Sequence, residues 1–300
     1  MWIWLALGSA LLLGFYDVAK KYALRRNGIY HVILAATGLT AVFLSPFLAP
    51  GPFAYHIRIA IKALIVTATW LSGMEALRLL PITTVSTFKA SRPMFVVLFS
   101  IILFGERLNL LHWGGVAAVI VALLMLASAS GKEGFRFGVG RGWWALIISM
   151  ITGVGSALWD KFILKGFVFS GPLSPVYATI PENLQAPVFL QAWTNLYITA
   201  LMAIIVGIKA LREGKSAERF RWDWSIVAIA VLITFSDAFY FISISQEGSL
   251  LSVISLVRRF SIVITFVVGA ILFREQKIKG KSVALAFMIA GIVLLMAGSI

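Results

Sequence analysis

The chain contains no cysteine, which excludes disulfides, thiolate metal sites and thiol nucleophiles. Histidine is nearly as scarce: His31, His56 and His112 lie near different ends of apolar runs, and no pair has metal-ligand spacing. No Ser, His and acid set is recognisable either, so a membrane-embedded enzyme is poorly supported, and no catalytic residue, cofactor or metal is expected. A Gly-rich loop ending in Lys-Ser or Lys-Thr is missing, which argues against direct ATP coupling. Charge is sparse, with 13% of residues Asp, Glu, Lys or Arg against about 25% in soluble proteins. The N-terminal stretch MWIWLALGSALLLGF has no basic leader and no small-residue cleavage site before Asp17, so a retained first span is expected.

What fills the sequence is apolar: 60% of its 300 residues are hydrophobic, with a mean hydropathy of +0.96. These values predict an all-α, multi-pass integral membrane protein in contact with the lipid bilayer. Spans are expected at 2–24, 30–49, 59–80, 82–104, 111–130, 143–164, 187–208, 224–246, 249–273 and 280–300. That makes ten transmembrane helices and leaves no room for a soluble domain.

The chain is duplicated. Ile82 to Glu106 can be laid over Leu251 to Glu275 at a constant offset of 169, and the match continues from Val119–Ser128 onto Met288–Ala297. Lys89 falls on Arg258 and Glu106 on Glu275. A repeat with five crossings must enter the membrane the second time from the opposite side, which predicts two five-helix inverted-topology repeats. Their expected extents are 1–130 and 143–300, joined by a loop at 131–142.

Net charge is +14. The longest basic run, Lys209 to Arg221, lies between two spans, where excess Lys and Arg mark cytoplasmic loops, so no nucleic-acid partner is expected. Fifteen of the 26 basic residues fall in odd-numbered loops and four, Arg58, Lys62, Arg107 and Lys165, in or beside even-numbered ones. The positive-inside rule then places odd loops in the cytoplasm and both termini outside. The nearly uncharged, Pro- and Gly-containing loop from Gly166 to Ala186 is read as an extracytoplasmic cover.

Seven basic residues lie within spans: Lys20, Lys21, Lys89, Arg92, Lys161, Arg258 and Arg259. Four acids do so too, namely Asp17, Glu75, Asp160 and Asp237. Intramembrane charge costs roughly 2.5–3.5 kcal/mol per residue on insertion scales, so these side chains should face a bundle interior or a wet cavity. Arg92 and Arg259 each lie ~15 Å into their spans, near mid-bilayer, and are the leading substrate-binding candidates. Lys89 and Arg258 would tune the field, and Asp237 would hold an arginine or carry a coupling proton. Tyr240, three residues on from Asp237, shares its face, while Ser249, Ser252, Ser255 and Arg259 form one face of the ninth span, read as lining a pathway. Asp17, Lys21, Trp70, Asp160 and Lys161 are secondary candidates. Lys20, Lys21 and Lys161 lie close enough to span ends to reach headgroups instead, and Asp17 and Lys21 have the i, i+4 spacing of a self-neutralising pair. Trp70 has a packing role as its bland alternative, and Pro93 that of a packed kink. Glu106 and Glu275 are expected to organise loops at opposite faces through backbone or a neighbouring Arg.

The paired endings LFGERL (Leu103–Leu108) and LFREQKI (Leu272–Ile278), each followed by a Gly-containing span, together with Pro93, resemble the drug/metabolite transporter superfamily, specifically its ten-span EamA-type members. The resemblance covers essentially the whole chain and departs from the family at Ile262, where proline is common, and in the double arginine. It implies secondary-active metabolite transport by alternating access in a bacterial or archaeal cell membrane, as a monomer or dimer. Paired Lys and Arg in corresponding spans resemble the phosphate-binding arrangement of the superfamily's organic-phosphate translocators, a role that the resemblance gives to Lys89 with Arg258 and Arg259. The expected substrate is therefore a small polar metabolite with a carboxylate or phosphate, moved with a coupling proton or counter-substrate. A flippase for an anionic lipid precursor belongs to the same class. An accessory protein whose interior charges all pair off is the alternative outside it.

Overall fold

The computed structural model describes residues 1–24, 27–80, 85, 88–89, 91–129, 140–165, 186–213, 220–273 and 279–299. Among these, all regular secondary structure is helical. In lipid no water is present to satisfy peptide groups, so long apolar runs close their hydrogen bonds within the segment. The helices are α1 (Trp2–Ala23), α2 (Ile29–Phe43), α3 (Phe53–Leu79), α4 (Arg92–Phe104), α5 (Leu110–Ala129), α6 (Arg141–Lys165), α7 (Ala186–Glu213), α8 (Trp224–Ser245), α9 (Leu251–Val257), α10 (Ser261–Phe273) and α11 (Lys279–Ala297). Among the described residues, five stretches are long and apolar enough to cross a membrane: Trp2–Ala23, Phe53–Ala76, Arg141–Lys165, Pro187–Arg212 and Trp224–Ser245. With the shorter apolar helices between them, they make the chain a multi-pass integral membrane protein.

Several expected boundaries move. The third helix starts at Phe53, not 59, and carries Arg58 on its first turns. There the Arg58 carbonyl accepts the Trp159 indole N–H at 2.9 Å and its guanidinium lies 5.4 Å from the Phe162 ring centroid. Pro93 lies in the first turn of α4, where a missing N–H is tolerated. The ninth span is not one helix, because a 3₁₀ turn at Arg258–Phe260 separates α9 from α10. Glu275, residues 166–185 of the expected extracytoplasmic loop and most of the loop between the repeats lie outside the described residues.

Helix α1 packs on α8, α3 on α6, α2 on α7 and α5 on α11; α4 packs on α6, and α10 on α1. Lipid offers no hydrophobic drive for these contacts, so small residues and interhelical hydrogen bonds carry them. On α5 and α11 backbones meet directly: a Cβ at Gly115 would sit 2.7 Å from the Gly291 carbonyl. Between α1 and α8 the hydroxyls of Ser9 and Ser236 are 3.2 Å apart, and Ser243 donates to the Trp2 carbonyl at 3.0 Å. Large apolar side chains such as Leu64, Ile151, Ile204 and Val293 point outward, as a lipid-facing surface requires.

Candidate functional site

A cavity of about 650 Å³ lies between the helices. Its lining begins at Leu24 and Ile29, on either side of the α1–α2 junction, and runs inward along α3, α4, α6, α7, α8 and the 3₁₀ turn. Among the lining residues, Lys62 of α3 and Asp160 of α6 form an ion pair of 2.6 Å. Asp160 also accepts the Tyr240 hydroxyl at 3.3 Å, and Lys62 donates to the Ser156 hydroxyl at 2.6 Å. Lys62, Ser156, Asp160 and Tyr240 thus form one connected polar set on the cavity wall.

Arg258 donates to Asp237 of α8 at 3.0 Å, and its guanidinium lies 4.1 Å from the Tyr240 ring centroid. Lys20, Lys89, Arg92 and Arg259 line the same space and have no acid within ion-pair distance among the described residues. Lys20 lies 5.6 Å from the Tyr16 ring centroid.

Two glycines determine where two of these cations sit. Arg92 donates to the Ser149 carbonyl at 2.9 Å, and a Cβ at Gly153 would collide with its guanidinium. At Gly73, a Cβ would come within 2.9 Å of the Lys89 ammonium. Bare backbone on α3 and α6 thus leaves slots for Lys89 and Arg92, both from the α4 side of the cavity.

Of the residues singled out from sequence, Lys89, Arg92, Asp237, Tyr240, Ser255, Arg258, Arg259, Trp70 and Asp160 line the cavity. Asp17 is half-buried on α1 in the field of Lys20, Arg259 and Arg258, but is not part of the lining. Lys21 is exposed on the outside.

Lys161 neither reaches headgroups nor lines the cavity. It is buried against Glu106 at 2.6 Å, over the Phe104 ring, and also donates to the Ser249 carbonyl at 3.3 Å. Glu106 accepts the backbone N–H groups of Leu251 and Ser252 at 2.6 and 3.0 Å, and the Ser252 hydroxyl. One carboxylate therefore caps the start of α9 and clamps it to the α4–α5 junction and to α6. That junction turns at Gly105, whose φ of 62° suits glycine. The expected serine face divides accordingly: Ser249 and Ser252 belong to the clamp, and Ser255 alone of the three serines reaches the cavity.

Lys62 is absent from the expected site residues because its position lies beside the expected second loop. Its signal is nevertheless present: Lys62, Val66, Thr69 and Gly73 recur at helical spacing on α3, and all four line the cavity.

Residues 1–128 match the EamA-like transporter family. An uncharacterized transporter in the cobO 3′ region of a Sinorhizobium species is 31% identical over 96 residues, which span 32% of this chain and 67% of that protein. A chain in a solved crystal structure, 16% identical, superposes with a TM-score of 0.72 over 98% of each chain, so the two share a fold.

Proposed function

Because the chain belongs to the EamA-like transporter family, and is thus a membrane transporter, we propose that it carries a small metabolite bearing a carboxylate or phosphate by secondary-active alternating access. The observation that carries this reading is the charge of the cavity wall. Among the described residues, the two acids of this wall, Asp160 and Asp237, are each paired with a cation, while Lys20, Lys89, Arg92 and Arg259 have no acid within ion-pair distance. A cluster of like charges at low dielectric is unfavourable unless an anion joins it. Arg92 and Arg259 would bind the anionic group, for which a guanidinium offers paired donors. Lys89 would add to the field, Arg258 would be held by Asp237, and Trp70 and Ser255 would contact the rest of the substrate. The accessory-protein alternative needs every interior charge paired and is disfavoured by these four.

Support for two inverted five-helix repeats, 1–130 and 143–300, comes from the pattern of packing. Exchanging α1 with α6, α2 with α7, α3 with α8, α4 with α9–α10 and α5 with α11 turns α1·α8 into α6·α3 and α4·α6 into α9–α10·α1. The α2·α7 and α5·α11 contacts map onto themselves. The cavity lining reaches Leu24 and Ile29 at the α1–α2 junction, the cytoplasmic side by the positive-inside rule, where an inward-facing state would open. Both termini would then face outward from the cell membrane.

Proteoliposome counterflow with radiolabelled carboxylates, phosphates, amines and neutral sugars tests the reading. Exchange of anions, lost in Arg92→Ala and Arg259→Ala, is expected. Exchange confined to cationic or neutral compounds would overturn the anion assignment.

A further inference from the structure

The two ion pairs on the cavity wall differ in accessibility. Lys62 and Asp160 are both buried, and Asp160 is also held by Tyr240. Arg258 and Asp237 are in contact with the open cavity, and Asp237 accepts a hydrogen bond from Arg258 at 3.0 Å. An anion that enters to meet Arg92 and Arg259 also meets Arg258, their neighbour. Stacked on Tyr240, Arg258 has a support independent of its carboxylate partner and can turn its donors to the ligand without leaving the wall. Asp237 then loses its cation and gains a negative neighbour. A carboxylate in that position is stabilised by taking up a proton.

We propose that Asp237 is a proton-binding site linked to the substrate site, so that each anion bound at the arginines is accompanied by one proton taken from solution onto the Asp237 carboxylate. The inference rests on the anion-binding reading above. Its chemistry balances simply: Asp237 carboxylate plus a solvent proton gives the carboxylic acid, while Arg258 exchanges one anionic partner for another. The transported unit becomes anion plus proton, which makes a symporter of the proposed carrier.

The other charged and titratable groups around Asp237 are Tyr240 on its own helix; Tyr16, Asp17 and Lys20 on α1; Lys62 on α3; Lys89 and Arg92 from the α4 side; Asp160 on α6; and Arg258 and Arg259 on the 3₁₀ turn. Among the described residues, helices α2 and α7 bring no charged side chain to the cavity; their polar contributions are Thr37, Thr194 and Asn195. The rival carboxylates are Asp160, which is closed into its pair, and Asp17, which does not line the cavity.

The test is calorimetric titration of the purified protein with sulfate, whose charge is constant between pH 5 and 8, in buffers of different ionisation enthalpy. Inorganic phosphate serves as a second probe after its own ionisation is subtracted. The direction follows from the linkage: the empty site holds an ionised Asp237 and the occupied site a protonated one, so affinity strengthens as pH falls. About one proton should be taken up per anion, and Kd should fall by up to tenfold per pH unit. Asp237→Asn should bind the anion with no proton exchange, and Asp17→Asn should behave as wild type. Binding by the wild type with no proton uptake at any pH overturns this inference and leaves the anion reading standing. Proton uptake that survives in Asp237→Asn or vanishes in Asp17→Asn overturns the assignment to Asp237. Failure of both anions to bind overturns the anion reading, and this inference with it.

Discussion

Two acid–base pairs of the same chemistry perform opposite tasks in this molecule. Lys161 and Glu106 are 7% and 2% exposed, 2.6 Å apart, with the carboxylate also holding two peptide N–H groups. Arg258 and Asp237 are 18% and 28% exposed, 3.0 Å apart, and look into the cavity. The first pair has its hydrogen-bonding capacity largely taken up by protein and holds the start of α9 in place. In the second, donors remain available to a ligand. Intramembrane charge alone thus does not identify a binding site; what identifies it is capacity left unfilled beside an open volume.

The largest effect is expected from breaking the closed pair. Glu106→Ala leaves a buried lysine without its counter-ion and the start of α9 without its cap. It should cost about 3–5 kcal/mol of stability, seen as a strongly lowered unfolding midpoint or loss of folded protein. A loss below about 1 kcal/mol would show that the clamp is not structural. The open region should respond in the converse way. Arg259→Ala is expected to fold with a ligand-free midpoint close to wild type, yet to bind anions at least tenfold more weakly, about 1.4 kcal/mol, by calorimetry. Gly153→Ala sharpens the contrast, because it adds only a methyl group but displaces the Arg92 guanidinium. A several-fold weaker anion affinity is expected, and unchanged affinity would show that Arg92 is not positioned by that slot. The smallest effect belongs to Lys21, exposed on α1. Lys21→Gln should shift stability by no more than about 0.5 kcal/mol and leave binding unchanged.

Helix order was legible from hydropathy, because a backbone in lipid has few alternatives to the helix. The start of α3 was not, because Arg58 and Lys62 read as loop charges. Arg58 instead interacts with Phe162 and Lys62 with Asp160, both on α6, and such interhelical partners leave no trace in local composition. Depth along a span singled out Arg92, Arg259 and Asp237, and all three line the cavity. For Asp160 and Lys161 it could not discriminate: consecutive residues share a depth but point about 100° apart on a helix, one to the cavity and one to Glu106. The 3₁₀ turn at Arg258–Phe260 has no proline or glycine to announce it. Repeat matching picked out Glu106, but its role as a cap for α9 depends on a partner 145 residues away.

The most direct test of the central claim is thermal unfolding of the detergent-purified protein with a matched panel of phosphorylated, carboxylated, zwitterionic and cationic metabolites, beside Arg259→Ala. A ligand that binds the folded state raises the midpoint by mass action. The account predicts that anions raise it in wild type and not in the variant. A rise produced only by cationic or neutral compounds, or an equal rise with anions in both proteins, would contradict it.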